Sequence, residues 1–574
     1  LNFKKGNLDA AFKKAFQVIE EEYSTEAQNH YDLEPQGAYS FLNDDKLEVI
    51  CSTQWPYNVR DNVSSCLGIS PKDVTISVPA MGKTHSGKLW YAGLLACFSA
   101  IVTWKTKRTS ICLIPKTDSI LYTPSRAASI IKHRTGLDKS GKILCRDIDI
   151  AIDSGAYPML SDEVINRICF SAAGVYRTKS LKIRARSLRT SSAPTGAFNG
   201  MGFHQGFFAA ESHSNSLAEA AGQSTCEWRL NNAAREHINL PIGWEGKKPI
   251  RLNELLETVA SISDFQRKYA AYKLSAQMQN SFSGGKRGIG IALCCLGNGF
   301  MGKVEESEKY TVSVRLNKNG SLLIMTSAVP ENFQTAMLWK EIAGTLLEID
   351  LKNVRIETTR TSLVPDSGPS LFSRNITIIT QLIEKCCTAI KKSRFRLPLP
   401  IEIKRSYKLP GKNAWNPESF SGTPFPVISW GAAVVETETN PINLETAVRG
   451  VWFAADCGRI INRDMASAEV ENEIYRSIES SMTKPALSRY ANFGISLVPA
   501  GIRDNIPITI EFLSSKELKP GGIGELPDSL IPSALTESIS MSMKTKITRL
   551  PTTSERLFFQ LERQRKKEKK AVEN

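Results

Sequence analysis

Gly521-Gly522-Ile523-Gly524-Glu525-Leu526-Pro527 is the stretch around which the chain is organised. Three glycines in four positions open backbone conformations closed to other residues, and they let the main chain pass close to a ligand. A carboxylate follows at once, so such a loop can deliver one acid to a buried centre. Desolvation there raises the acid's pKa and suits it to taking a proton near neutral pH. The same letters also describe a plain glycine turn with a surface Glu behind it, because short glycine motifs are common.

Around that loop stand 574 residues, 41% hydrophobic and 23% charged, an ordinary globular composition with room for several domains. No run approaches the ~18 uninterrupted apolar residues of a membrane span. Residues 1–14 carry four lysines and lack a signal-peptide core. A cytoplasmic location is therefore expected. The chain opens on Leu1, not Met, which reads as a truncation or a misassigned start. The twelve cysteines are scattered and include no C-x-x-C, so iron–sulfur and zinc sites of the usual spacing are not expected. A net charge of +15 favours contact with phosphates and acidic partners, yet no nucleic-acid motif accompanies it. Part of the excess lies in Arg563, Arg565, Lys566, Lys567, Lys569 and Lys570, read as a solvated, disordered tail over 558–574.

In chain order, spacing predicts a helix over 9–22, strands over 39–42 and 47–53, and a helix over 58–67 closed by Gly68. A buried strand at 74–78, the turn GKTHSGK at 82–88 and an apolar helix over 89–101 follow. Strand, G-x-x-x-x-G-K and helix is the context of a phosphate-binding loop, but Leu89 stands where a Ser or Thr should meet magnesium. A nucleotide-binding reading of 82–88 is kept as a third possibility beside a simple turn. Alternation predicts a long strand over 142–153, and the glycine-rich PTGAFNGMGFHQG at 194–206 leads into a helix. His204 and His213, nine residues apart across loop and helix, read as structural or solvent-facing. Residues 241–249 read as a linker and 252–279 as helical, which puts a domain boundary there. Beyond it come strands at 288–296, 310–316 and 321–328, a helix at 333–348, a strand at 354–359 and a helix at 376–391. Residues 398–426 read as loop, 430–438 and 447–456 as strands, 466–480 as helix and 508–512 as the last strand.

The order of these motifs says more than any one of them. EPQGA at 34–38, STQ at 52–54, the turn at 82–88, DIDIAIDSGAY at 147–157, GAFNGMGFHQG at 196–206, GRIIN at 458–462 and GGIGELP at 521–527 follow one another along nearly the whole chain. Together they resemble the molybdenum-binding subunit of the xanthine dehydrogenase and aldehyde oxidoreductase family. The resemblance implies an α+β fold with two molybdopterin-binding domains of mixed sheets and helices, the cofactor site lying between them. The corresponding division is 1–240, a linker and helical connection at 241–283, 284–557, and the tail. It implies a molybdenum–molybdopterin cofactor, either plain or in a dinucleotide form, with no iron–sulfur or flavin site in this chain and no metal ligand from its side chains. Partner iron–sulfur and FAD-binding subunits are implied, in a heteromeric complex that dimerises. Glu525 would take a proton from a hydroxyl on the metal, and Gln54 would hydrogen-bond a ligand of the metal. Gly82, Gly87, Ala197, Phe198, Gly200 and Gly524 would touch the cofactor. The substrate would be an aromatic N-heterocycle or an aldehyde.

Departures from the family pattern fall on the site. Lys83, Thr84, His85 and Ser86 stand where the family's turn carries more glycine and a Phe, Asn199 replaces a substrate-orienting Arg, and Leu89 stands where a second acid is common. Asn332, Phe333 and Gln334 replace a Gly-Gln-Gly, and the stretch from Glu469 to Glu473 replaces a Gln-containing one. An acid beside an anionic cofactor should weaken binding unless it points away. A catalytically decayed member that serves as an assembly scaffold is the alternative to catalysis. The family's N-terminal hammerhead-like domain has no counterpart in the sequence, so an apolar face is expected in its place.

Overall fold

The structure is a computed structural model. It describes the chain except residues 31–33, 83–85, 236–239, 243–249, 278–284, 302–309, 331, 408–414, 417, 484–504, 516–518 and 574, with the backbone alone at 277 and 567–573. The first half holds β1 (Asn2–Lys5), α1 (Leu8–Lys13), β2 (Gln17–Thr25), β3 (Gly37–Asn43), β4 (Lys46–Cys51), α2 (Pro56–Leu67), β5 (Val74–Ser77), α3 (Tyr91–Thr106), β6 (Ser110–Leu113), α4 (Lys116–Tyr122), β7 (Ser129–Leu137), β8 (Ile143–Gly155), α5 (Ser161–Ala172), β9 (Ser180–Arg189), α6 (Phe203–Ala220) and α7 (Thr225–Asn232). After α8 (Leu252–Ile262) and α9 (Phe265–Gln277) come β10 (Lys286–Asn298), β11 (Thr311–Leu316), β12 (Leu322–Met325), α10 (Phe333–Leu347), β13 (Val354–Ile356), α11 (Thr380–Ser393), β14 (Ile401–Ser406), β15 (Val427–Thr439), β16 (Thr446–Asp456), α12 (Arg463–Met482), β17 (Ile508–Phe512), α13 (Leu526–Met543), β18 (Arg549–Leu550) and α14 (Ser554–Glu573). This is the expected α+β class. Among the described residues, no helix is long and apolar enough to cross a membrane.

Among the described residues, four mixed sheets carry the architecture, in strand orders β1-β9-β8-β7-β2-β18, β5-β4-β3-β6, β13-β12-β11-β14 and β10-β15-β16-β17. The second and third have cores of their own: α2 and α3 cover the second sheet, and α10 and α11 cover the third. The other two share one large core, with α5, α6 and α13 between them. β8 alternates buried and half-buried side chains because only one of its faces meets helices. β10 is the edge strand of its sheet, yet it is buried along nearly its whole length because α13, α9 and α6 pack against it.

Helix α13 lies directly on β10, and glycine makes that approach possible. A Cβ on Gly288 would sit 1.9 Å from the Ser538 carbonyl oxygen, and one on Gly290 2.1 Å from that of Ala534. Both obstacles are backbone, so relief requires moving the helix. Gly290→Ala should therefore lower stability by about 1–3 kcal/mol or more, read as a drop in the urea unfolding midpoint at unchanged slope.

Several elements differ from expectation. Helix α1 stops at Lys13, and residues 17–25 form β2, paired along its length with β7. Ala15, Phe16 and Ile19 have helical spacing, but Val18 and Ile19 are β-branched and the sheet edge takes them. The stretch 252–279 breaks at Asp264, whose φ is 54°. The segment 398–426 contains β14, which pairs with β11 despite its Pro-rich flanks. The basic tail continues as α14: Leu557 is buried in the main core, Leu561 packs against it, and the Thr553 hydroxyl accepts the Arg556 amide at the helix start. Most of the 241–249 linker, and Lys83, Thr84 and His85 of the glycine turn, lie outside the described residues.

Candidate active site

The glycine loop joins the last strand region to α13 and is wedged among four other segments. The Gly521 amide donates to the Cys457 carbonyl at 2.6 Å. A Cβ on Gly521 would lie 2.7 Å from Ser429 Oγ, and one on Gly522 2.1 Å from Ser373 Cβ and 2.4 Å from Asn298 Oδ1. Only bare backbone fits there. The turn then closes with the Leu526 amide on the Ile523 carbonyl and Pro527 in the first helical turn, where a missing N–H costs nothing.

This loop forms one wall of a slot of about 150 Å³ that also meets Asn199, Asn332, Ser373, Arg459, Asn462 and Glu469. Phe372 and Ser373 turn the chain into it with φ of 53° and 58°, two successive left-handed residues without glycine. Such backbone is held only where packing over-determines it, and Phe372 lies under the Arg167 guanidinium at 4.1 Å.

Glu525 is 8% exposed in the slot wall. Burial pushes its carboxyl up to about 7; Arg167 and the Gly200 N–H oppose that rise, while the charges of Glu473 and Asp528 add to it. Among the described residues, Oε2 has no hydrogen-bond partner. The result is a buried acid poised near neutrality with one oxygen unclaimed, an arrangement suited to exchanging a proton with a bound group.

Behind Glu525 is a buried polar scaffold that the sequence did not announce. Arg126 donates to Asp528 Oδ2 at 2.8 Å, both essentially buried. His204 Nδ1 lies 3.0 Å from the Asp528 carbonyl and 3.2 Å from Oδ1, so this nitrogen carries the hydrogen. Burial pushes Asp528 up, but Arg126 and His204 outweigh it and hold the carboxyl well below its usual range. Phe198 is stacked between His30, at 4.5 Å, and the Arg126 guanidinium, at 4.3 Å. Asn199 Nδ2 donates to Glu473 Oε1 at 2.9 Å, and Arg476 pairs with the same carboxylate. Arg167, fully buried, donates to the carbonyls of Gly297 and Gly299 and pairs with Glu163.

Of the expected site residues, Asn199, Gly524 and Glu525 meet in the slot. Ala197, Phe198 and Gly200 form the layer behind it; the Gly200 N–H reaches Glu525. Gln54 is buried and bridges two segments: its Oε1 accepts from the Lys88 amide at 3.3 Å and Nε2 donates to the Ser370 carbonyl at 2.8 Å. Ser370 leads directly into the Phe372–Ser373 wall, so Gln54 acts on the slot through that wall. Gly82 is exposed, its amide donating to Glu34, while Gly87 is buried. Leu89 is a fully buried core side chain and not a slot residue, because its apolar surface packs in the main cluster. The nucleotide reading of 82–88 fails on Lys88, which is 1% exposed and paired with Glu34 at 3.0 Å. A lysine so used has no reach toward a phosphate. His204 and His213 are both buried and structural.

The replaced acids part company. Glu473 turns away from the slot to Asn199 and Arg476, whereas Glu469 faces it and takes the Asn332 amide at 3.3 Å.

Residues 1–233, and again 265–398 and 394–472, match family descriptions that read "Molybdopterin cofactor-binding domain". The chain belongs to the molybdopterin-binding family of xanthine dehydrogenase and aldehyde oxidoreductase. Among its relatives, the large molybdopterin subunit of nicotinate dehydrogenase from Eubacterium barkeri is 29% identical over 253 residues, 44% of this chain and 59% of that protein. Xanthine dehydrogenase/oxidase of Felis catus is 23% identical over 549 residues, 88% of this chain and 40% of that one. The chain thus spans less than two thirds of either relative. In fold it is similar to the aldehyde oxidoreductase from Desulfovibrio gigas, with a TM-score of 0.87 at 20% identity over 98% of this chain and 63% of that one. Quinoline 2-oxidoreductase from Pseudomonas putida 86 gives 0.84 at 17% over 98% and 78%.

The residues present fit a pterin of this kind. Glu525 offers an unclaimed oxygen, and the glycine wall offers backbone where any Cβ would collide. Asn332, Ser373, Asn462 and Arg459 supply amide, hydroxyl and guanidinium groups around one slot.

Proposed function

We propose that this family member works as the molybdenum-binding chain of a hydroxylase acting on an aromatic N-heterocycle or an aldehyde. The observation that carries the reading is Glu525: buried in the slot wall, pushed up to about 7, with Oε2 unpartnered. The backbone of 521–524 and the side chains of Asn332, Ser373, Asn462 and Arg459 would hold the pterin, and Gln54 would support the adjoining Phe372–Ser373 wall. When bound, the molybdenum pterin supplies the redox step, in which a substrate carbon gains an oxygen derived from water and gives up two electrons. Glu525 Oε2 accepts the proton released in that step, and the Gly200 N–H keeps the carboxylate in place. Asn199, fixed by Glu473, presents a neutral amide edge where a substrate heteroatom or carbonyl would be oriented. The names of the relatives cover both substrate classes, nicotinate and quinoline as heterocycles and aldehydes beside them. Electrons would leave through partner iron–sulfur and flavin chains.

Molybdenum and pterin content per chain, after expression with such partners in a cofactor-making host, tests the reading. Near-stoichiometric content with turnover of a heterocycle or aldehyde supports it; a folded, partner-bound chain without either component overturns it in favour of a scaffold. Glu469 sharpens the test, because a carboxylate facing the slot repels the cofactor's phosphate. Glu469→Gln removes that charge and keeps the shape. Under limiting cofactor supply it should raise released-pterin fluorescence per chain about threefold to tenfold, equivalent to ~1 kcal/mol of relieved repulsion. Unchanged loading would place Glu469 outside the cofactor's field.

A further inference from the structure

A second large cavity lies away from the slot, at the C-terminal end of α13. It encloses about 790 Å³ and is lined by α6, α9, α13, the start of α7 and Gln564 of α14. That is within the ~300–1,000 Å³ usual for small-molecule sites. Glu525 and Glu537 are twelve residues apart on and before one helix, about 18 Å along its axis. The two sites therefore do not share walls.

Its floor is polar and incompletely satisfied. Glu537 is 7% exposed; its Oε2 accepts the Ile291 amide at 2.8 Å, while Oε1 has no hydrogen-bond partner among the described residues. The Thr225 hydroxyl lies close enough to draw the acid's pKa down somewhat, yet it closes no hydrogen bond to Oε1. Ser212 Oγ, also buried and lining the cavity, is equally unpartnered. Buried polar atoms left unmatched are costly, and several converging on one space point to something that occupies it. Burial pushes Glu537 up to about 7, against the pull of Arg229, so the floor presents an acid that can donate as well as accept.

The rim is basic. Lys273, Lys544 and Lys546 border the opening together with Glu219. Lys546 is paired with Glu21, which leaves Lys273 and Lys544 beside Glu219 at the rim. Lys273 stands 5.9 Å from the Tyr269 ring, whose face also borders the space.

We propose that this cavity is a binding site for a small polyhydroxylated anion, the class of sugar phosphates and sugar acids. Its anionic group would meet Lys273 and Lys544, and its hydroxyls would satisfy Glu537 Oε1 and Ser212 Oγ on the floor. Neither half suffices alone: the lysines without the floor are only a basic surface on a chain of net charge +15, and the floor without the lysines would take water.

Isothermal titration of the full chain at physiological salt, with ribose 5-phosphate, gluconate, ribose and inorganic phosphate in separate runs, tests this. At least one of the two hydroxylated anions should bind saturably, about tenfold or more tighter than phosphate or ribose alone. Which one does so distinguishes phosphate from carboxylate as the anionic end. Lys273→Ala with Lys544→Ala, two exposed positions that leave the fold intact, should weaken that binding at least about tenfold, and Ser212→Ala should weaken it while the unfolding midpoint stays within a few degrees. No saturable binding by either anion overturns the proposal. So does inorganic phosphate binding as tightly with no effect of Ser212→Ala, which would mean surface charge alone. The readout uses no turnover, so it stands or falls separately from the hydroxylase reading.

Discussion

Glu525→Gln should yield a folded chain with normal molybdenum and pterin content and turnover lower by about 10²–10⁴-fold or more, the span expected when a positioned base is removed. The substitution keeps the volume and the acceptor for the Gly200 N–H, and it deletes the group that takes up a proton. In the wild type, kcat/KM should rise with pH through a midpoint near pH 7 and level off about one unit above it, because burial holds the carboxyl up to about 7 and only its ionised form is the base. The residual rate of the Gln variant should lack that limb. Stability supplies an independent sign. The folded chain keeps the Glu525 proton up to about pH 7, whereas an unfolded Glu releases it near 4.5. Between those values the folded state binds more protons, so this group makes stability fall as pH rises, by up to about 3 kcal/mol. Glu525→Gln removes the loss, and its unfolding midpoint should exceed that of the wild type at pH 8 by more than at pH 5. Retained turnover in a loaded variant would remove Glu525 from the chemistry.

That glutamate was readable because its signal is local: glycines that permit a tight loop and an acid immediately after them. The same holds for β8, whose alternation is visible in ILCRDIDIAID, and for α2, which ends on Gly68 in a left-handed conformation. Helix α13 gave no comparable sign. It is buried almost all round, rich in Ser and Thr and carries Pro532 inside, so it has neither an apolar stripe nor a clean propensity. The scaffold behind the slot was harder still. Arg126 and Asp528 are 402 residues apart in sequence, and no spacing rule relates them. Arg167 and Arg476 are single basic residues in ordinary helices until the fold surrounds them with Glu163, Glu473 and aromatic rings. The positive φ at Phe372 and Ser373 is likewise set by packing, since neither residue favours it.

Asp528→Ala should be among the most damaging single changes in the chain, at about 3–5 kcal/mol. It deletes the carboxylate that faces Arg126 and His204 while leaving the guanidinium 2% exposed under Phe198. A buried charge without its counterion costs far more than the pair contributed. The damage should also reach the slot: a Cβ on Gly200 would lie 3.3 Å from Asp528 Oδ2, so the turn that carries Asn199 and sends its N–H to Glu525 rests on this side chain. Loss of cofactor loading should therefore accompany the drop in denaturation midpoint. The double change Arg126→Met with Asp528→Ala separates charge from packing, because it removes the stranded cation and refills part of its volume. Recovery of at least half the lost stability would identify the unpaired Arg126 charge as the main cost. If the double variant is no more stable than Asp528→Ala, the carboxylate holds the loop through His204 and the backbone, and the ion pair is incidental.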